Sequence, residues 1–244
     1  MLKEYGRELA YYLQVVRELV FPRHCAVCGN VIDTGYLCPA CRKGYLLQKH
    51  MSYKPREEYL AGQAEPLACD VLQSVLLLYK YDGILKDALH EIKFQANTAL
   101  LPLIREEAEQ ALPAAKLRWL GQYDVITCIP TSPERRAHRG FDLPEAIFAP
   151  LLEQRGGEFR TELLERVRTT APLFELAPQE RRNELAGCFA LGRSSQRLVV
   201  GKRVLLCDDI YTTGSTMAEA ARVLLQAGAR QVCGVALCAA SHNW

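Results

Sequence analysis

The chain has 244 residues, 49% of them apolar, with 30 basic against 28 acidic side chains and a formal net charge of +2. That suffices for one large domain, or one ordinary domain with an appendage. No run approaches the ~18 apolar residues that span a bilayer, and the near-balance of charge leaves any case for nucleic acid to local clusters.

The N-terminal stretch Leu2 to Leu19 carries apolar residues at Leu9, Tyr12, Leu13, Val16 and Leu19, which is helical spacing, and Phe21-Pro22 stops it. Charges every few residues deny it the apolar core of a signal peptide. With ten cysteines, the reading is a soluble cytoplasmic protein whose thiols are reduced. Residues 1–48 form a first region of helix and cysteine-rich turns, 49–68 read as a polar linker, and 69–244 as the main domain.

Cys25 and Cys28 form C-A-V-C, Cys38 and Cys41 form C-P-A-C, and nine residues separate the pairs. Zn²⁺ takes four thiolates at tetrahedral corners, and each C-x-x-C turn aims two of them at one point. The intervening stretch has too few apolar residues to fold alone, so metal would supply its folding energy. Two disulfides, or a redox pair, are the alternatives. Four thiolates leave no open position, so the metal expected is structural. Cys69, Cys128, Cys188, Cys207, Cys233 and Cys238 are scattered and read as small buried hydrophobes. Around the cluster, Arg23, Arg42, Lys43 and Lys49 face Asp33 alone, which suits either a phosphate backbone or a solvated basic surface.

From Cys69 the texture changes. Strands are expected over Val71–Tyr79, Tyr123–Ile129, Val204–Cys207 and Gln231–Ala239. Helices are expected over Gly83–Phe94, Thr98–Leu112, Leu143–Gln154 and Ser215–Gln226. Alternating strands and helices imply an α/β fold with a parallel sheet flanked by helices.

One stretch, Val204 to Thr216, reads V-L-L-C-D-D-I-Y-T-T-G-S-T. Asp208 and Asp209 stand where a buried parallel strand ends, and ligands of open α/β sheets bind just outside such ends. Two adjacent carboxylates there suit a vicinal diol such as the ribose 2′ and 3′ hydroxyls. Thr212, Thr213, Gly214, Ser215 and Thr216 then open a helix whose free N–H groups and positive dipole end favour a phosphate. Gly214 lets the backbone approach closely. Diol acceptor followed by phosphate cradle describes a site for a ribose 5-phosphate. The plain alternative is a turn followed by a helix cap.

D-D-I-Y-T-T-G-S-T resembles the phosphoribosyl pyrophosphate (PRPP) signature of type I phosphoribosyltransferases. With F-P-R-H-C-A-V-C and C-P-A-C, Y-D-G-I-L-K-D-A-L-H-E-I-K-F, I-P-T-S-P-E-R-R-A-H-R-G-F-D, R-V-R-T-T-A-P and R-R-N-E-L-A-G-C-F, the chain resembles the ComF family over most of its length. The resemblance implies a type I phosphoribosyltransferase-like sheet with an N-terminal zinc knuckle. It assigns the ribose hydroxyls to Asp208 and Asp209, the 5′-phosphate to residues 212–216, and pyrophosphate with Mg²⁺ to the loop after Ile129. There Thr131, Arg135, Arg136 and Arg139 are the candidates, joined by Lys93 of I-K-F; an exposed basic loop and an amphipathic helix edge are the alternatives. His90 and His138 have no assigned partner. The family's R-G-F-N-Q is R-G-F-D-L here, with Asp142 and Leu143, and its middle-section glutamine is Leu173, which puts the acceptor half of the site in question.

Three functions follow from the resemblance. One is a PRPP-dependent transferase in which the acids hold the ribose and the arginines with Mg²⁺ stabilise the leaving pyrophosphate. Another is a competence protein that handles incoming single-stranded DNA beside a helicase. The last is a PRPP sensor without turnover. The oligomeric state is left open.

Overall fold

The computed structural model describes residues 22–46, 52–55, 71–112, 122–153, 158–169 and 178–240. The expected N-terminal helix, Cys69, Lys49 and Leu173 lie outside these residues. The chain divides into two compact units, Met1–Leu47 and Gln48–Trp244.

In the first unit, strands β1 (Arg23–His24) and β2 (Val31–Ile32) pair antiparallel, with Arg23 opposite Ile32. Helix α1 (Pro39–Leu46) follows. Among the described residues of this unit the buried apolar side chains are Cys25, Ile32, Leu37 and Cys38, while Val27, Val31 and Tyr36 are exposed. Two of these four buried side chains are cysteines.

The second unit is built on a five-stranded sheet in the order β3 (Ser52–Pro55), β4 (Ser74–Lys80), β9 (Gln231–Ala239), β8 (Arg203–Tyr211), β5 (Val125–Cys128). The last four are parallel, and β3 is antiparallel to β4, Tyr53 lying opposite Leu76. Part of the stretch read as a linker is thus an edge strand. β4, β8 and β9 are buried along nearly their whole length, because helices cover both faces. On one face α8 (Ser215–Gln226) packs against β8 and β9 and against the ribbon of β6 (Leu164–Arg166) and β7 (Phe189–Leu191). On the other, α5 (Leu143–Glu153) lies on β5 and β8 and against α3 (Leu101–Ala111). α2 (Gly83–Gln95) contacts α3 in turn.

The helices begin where their sequences dictate. Asp82 caps α2, its carboxylate accepting the Gly83 N–H at 2.7 Å, and Ala96 closes that helix in the left-handed conformation. Pro102 sits at the start of α3, and Thr98–Leu100 form a 3₁₀ turn before it. Helix α4 (Pro133–Arg139) starts at Ser132 and ends at Gly140. Two further helices, α6 (Pro178–Leu185) and α7 (Gln196–Val199), flank β7 in the chain.

Gly234 bears on the position of α8. It lies on β9 between Leu206 and Val75, directly beneath Met217 of α8, and a Cβ there would collide with the Met217 sulfur. The glycine lets the helix settle close to the sheet, and the start of that helix is the residue 212–216 loop. Because the Met217 thioether is the flexible end of its side chain, Gly234→Ala is expected to cost about 1 kcal/mol, read as a lower urea midpoint with unchanged slope.

Candidate functional site

Because four strands are parallel, Ile129, Lys80, Tyr211 and Ala239 reach the same end of the sheet. The register confirms it: the Ile129 N–H donates to the Cys207 carbonyl at 2.9 Å, and the Tyr81 N–H to Ala239 at 2.7 Å. β8 runs further than its apolar residues suggest, through both carboxylates to Tyr211. Asp208 and Asp209 are each 8% exposed. Alternation along the strand puts Asp208 on the face shared with Val204, Leu206 and α8, and Asp209 on the opposite face.

Each carboxylate has its own support. Lys93 of α2 reaches Asp209, its Nζ 3.0 Å from Oδ1 and 3.0 Å from Oδ2. The Asp209 N–H donates to Asp208 Oδ1 at 2.8 Å. Burial, reinforced by the charge of Asp209, pushes the Asp208 carboxyl well above the usual carboxylate range. Lys93, that N–H and Arg166 pull it back in part.

Arg139, at the last turn of α4, holds Nη1 buried with no hydrogen-bond partner. Burial lowers its pKa and the charge of Asp209 counters this. Arg166 is a residue that the motif reading did not single out. It lies over the Phe189 ring at 5.5 Å and its charge is felt by Asp208. Burial lowers its pKa as well, and Arg135 adds to the effect on both arginines. Nothing in R-V-R-T-T marks Arg166 for this place, since the β6–β7 ribbon that carries it has strands of three residues.

The loop after β8 is compact. Gly214 adopts φ +78, and a Cβ there would overlap the Tyr211 hydroxyl, so only glycine fits. Gly214 occupies the N-cap of α8 without any side-chain cap, which leaves the first N–H groups of a twelve-residue helix open to an anion. Thr213 Oγ1 and Ser215 Oγ lie 2.9 Å apart beside them. Thr212 is exposed and Thr216 half-buried.

The other loop differs from the expectation of a run of phosphate-facing arginines. Ser132 and Arg135 belong to the start of α4, the Arg135 N–H pointing to Ser132 Oγ at 3.4 Å. Asp142, 3% exposed, accepts the Thr131 N–H at 2.8 Å through Oδ1 and holds Arg136 Nη1 at 3.0 Å through Oδ2. Arg136 is therefore paired with Asp142, whereas Arg139 and Arg166 are the guanidinium groups coupled to the acidic pair, and the charge of Arg135 reaches both of them. Thr169 donates to Glu134 at 2.8 Å, tying the segment after β6 to the first turn of α4 and holding the Glu134 carboxyl below its ordinary range.

In the first unit the four cysteines converge, their sulfurs all within 4.8 Å of one another. Cys28 Sγ and Cys38 Sγ are 3.7 Å apart, near the ~3.8 Å edge of a tetrahedron with 2.3 Å metal–sulfur arms. Burial opposes ionisation of Cys25, but the N–H groups of Cys28, Cys38 and Val27 bring its thiol down to about 6. The neighbouring Cys38 pushes Cys41 up to about 12. Cys25 yields a thiolate readily while Cys28 and Cys41 resist, as like charges in so small a volume must unless a cation joins them. The donor set fits a thiophilic, tetrahedral ion.

Comparison with known proteins agrees with this architecture. Residues 152–244 match the phosphoribosyl transferase domain model. The chain is 30% identical over 230 residues to a DNA utilization protein YhgH of Salmonella typhi, covering 90% of this chain and 98% of that protein. It is 30% identical over 155 residues to the competence protein ComFC of Streptococcus pneumoniae, covering 64% of this chain and 63% of the other. With ComFC of Bacillus subtilis it shares 24% over 210 residues, 84% of this chain and 78% of that one. No helix among the described residues is long and apolar enough to cross a membrane. A near full-length relative, a phosphoribosyl transferase domain and a four-cysteine cluster ahead of it together say that the chain belongs to the ComF family.

Proposed function

We propose that the protein binds PRPP at the end of the sheet and acts in the cytoplasm in the uptake or use of DNA. The observation that carries the first half is the join of a buried acidic pair to an uncapped, glycine-led helix start on one βα turn. A ribose diol would donate to Asp208 and Asp209 while the 5′-phosphate receives the N–H groups at 215–217 and the hydroxyls of Thr213 and Ser215. Lys93, Arg135 and Arg139 are the cations for the pyrophosphate. Mg²⁺ would sit mainly on phosphate oxygens and water, neutralising the charge of the pyrophosphate. The relatives named for competence and DNA utilization support the second half, with single-stranded DNA and a helicase as the partners that fit.

A second reading is turnover: transfer of the phosphoribosyl group to an acceptor. The buried, unpartnered Arg139 Nη1 favours it, because a preorganised donor at the leaving group is what such a transfer needs. In that reaction an acceptor nucleophile bonds to the anomeric carbon as the bond to pyrophosphate breaks. The bonding electrons leave with pyrophosphate, and the carboxylates offset the positive charge that develops on the ribose.

The cysteine cluster is proposed to hold one structural Zn²⁺, with Cys25, Cys28, Cys38 and Cys41 as thiolates. One equivalent of zinc by elemental analysis is expected, together with loss of ordered structure in the first unit when a chelator removes it. A metal-free protein with an intact knuckle would overturn the assignment.

Calorimetric titration of Mg·PRPP is expected to give saturable binding to the wild type and at least ~100-fold weaker binding to Asp208→Asn/Asp209→Asn, since two charge-assisted hydrogen bonds are lost. No binding by the folded, metal-loaded wild type sinks the PRPP reading. Asp208→Asn alone should weaken binding yet melt higher, by about 1 kcal/mol, because it removes a buried charge and keeps an acceptor for the Asp209 N–H. With its carboxyl raised in the folded state, Asp208 makes the wild type lose stability as pH climbs above the ordinary carboxylate range. A pH series of melts should show that slope flattened in Asp208→Asn.

A further inference from the structure

Asp209 already has an occupant. The single Lys93 ammonium lies 3.0 Å from both oxygens of the carboxylate, whose side chain is 11% exposed against 22% for the lysine. The two residues are 116 positions apart in the chain, so the pairing is a product of the fold. α2 is fixed by its Asp82 cap, by the left-handed Ala96 and by burial of Leu85, Ala88, Leu89 and Ile92. Ile92, fully buried, anchors the backbone beside Lys93. Any release of Asp209 must therefore come from rotation of the lysine side chain. Arg139 faces the same carboxylate electrostatically and keeps its buried Nη1 unpartnered.

A ligand that offers only a diol must displace an ammonium from a largely buried carboxylate and leave that ammonium with no anion. The ammonium–carboxylate pair joins two ions, whereas a diol hydroxyl brings no charge of its own to Asp209 and strands the part-buried ammonium, so the exchange runs uphill. A ligand that carries a pyrophosphate beside the diol gives Lys93 a new anionic partner as it vacates Asp209. We propose that Lys93 is a specificity-determining latch: it closes the ribose acid to simple ribose phosphates and yields it to a ligand bearing pyrophosphate next to the diol. This rests on the ribose-phosphate reading of the Asp208–Asp209 site and adds to it a reason for discrimination against ribose 5-phosphate and nucleoside monophosphates.

Calorimetric titrations of full-length, metal-loaded protein with Mg·PRPP and with ribose 5-phosphate, on wild type, Lys93→Met and Lys93→Arg, test the latch. Lys93→Met is expected to bind ribose 5-phosphate ~10-fold more tightly and PRPP ~10-fold more weakly, so the preference for PRPP shrinks ~100-fold. Lys93→Arg should keep the preference within a few-fold. Should Lys93→Met not fold, Lys93→Gln carries the same expectation. Equal weakening of both ligands, or no change in either, overturns the latch while leaving the PRPP site intact. Binding of neither ligand by the wild type removes the site itself and the latch with it.

Discussion

Two carboxylates buried at the end of the central strand are the constraint around which this domain is arranged. A charge taken out of water costs several kcal/mol unless partners replace the lost hydration. Here the partners arrive from distant elements: Lys93 from α2, Arg139 from α4, Arg166 from the β6–β7 ribbon, and the Asp209 N–H from the strand itself. Even so, Asp208 remains poorly compensated. A protein selected for stability alone would place an amide or an apolar side chain there. A site held in so unfavourable a state is most readily understood as one awaiting a ligand that completes it.

The frame around that constraint was legible because its strands are apolar runs and its helices are periodic. Val71–Tyr79, Tyr123–Ile129 and Gln231–Ala239 each mark a strand to within a few residues. Gly83–Phe94, Leu143–Gln154 and Ser215–Gln226 do the same for helices. Less legible were elements whose stability comes from neighbours. α4 has no buried residue among P-E-R-R-A-H-R, so no hydrophobic period announces it, and it reads as a loop. The ribbon strands L-E-R and F-A-L are too short for a pattern. In the sequence β8 stops at Cys207 because Asp208 and Asp209 break the apolar run, yet backbone pairing with β9 continues past them.

Two departures from the family pattern acquire a physical meaning. Where the family carries Asn-Gln, this chain has Asp142 and Leu143. The carboxylate of Asp142 uses one oxygen on the Thr131 N–H and the other on the Arg136 guanidinium, which an amide cannot do with two acceptors. It fixes the turn between β5 and α4 and pairs with Arg136, while Lys93, Arg139 and Arg166 are the cations coupled to the acids. Leu143 is fully buried at the start of α5, so its change from a polar residue serves packing. Neither change disturbs the acidic pair or the helix start that follows it.

The antiparallel β3 bears on where this domain can be cut. β4 is almost wholly buried and carries one of its two rows of backbone hydrogen bonds against residues 52–55. A chain trimmed to begin after the apparent linker would leave that row open, and an apolar strand with an unpaired edge recruits other strands. The sheet-bearing unit therefore begins before residue 52, and precipitation of a shorter fragment would reflect a missing strand rather than a missing knuckle.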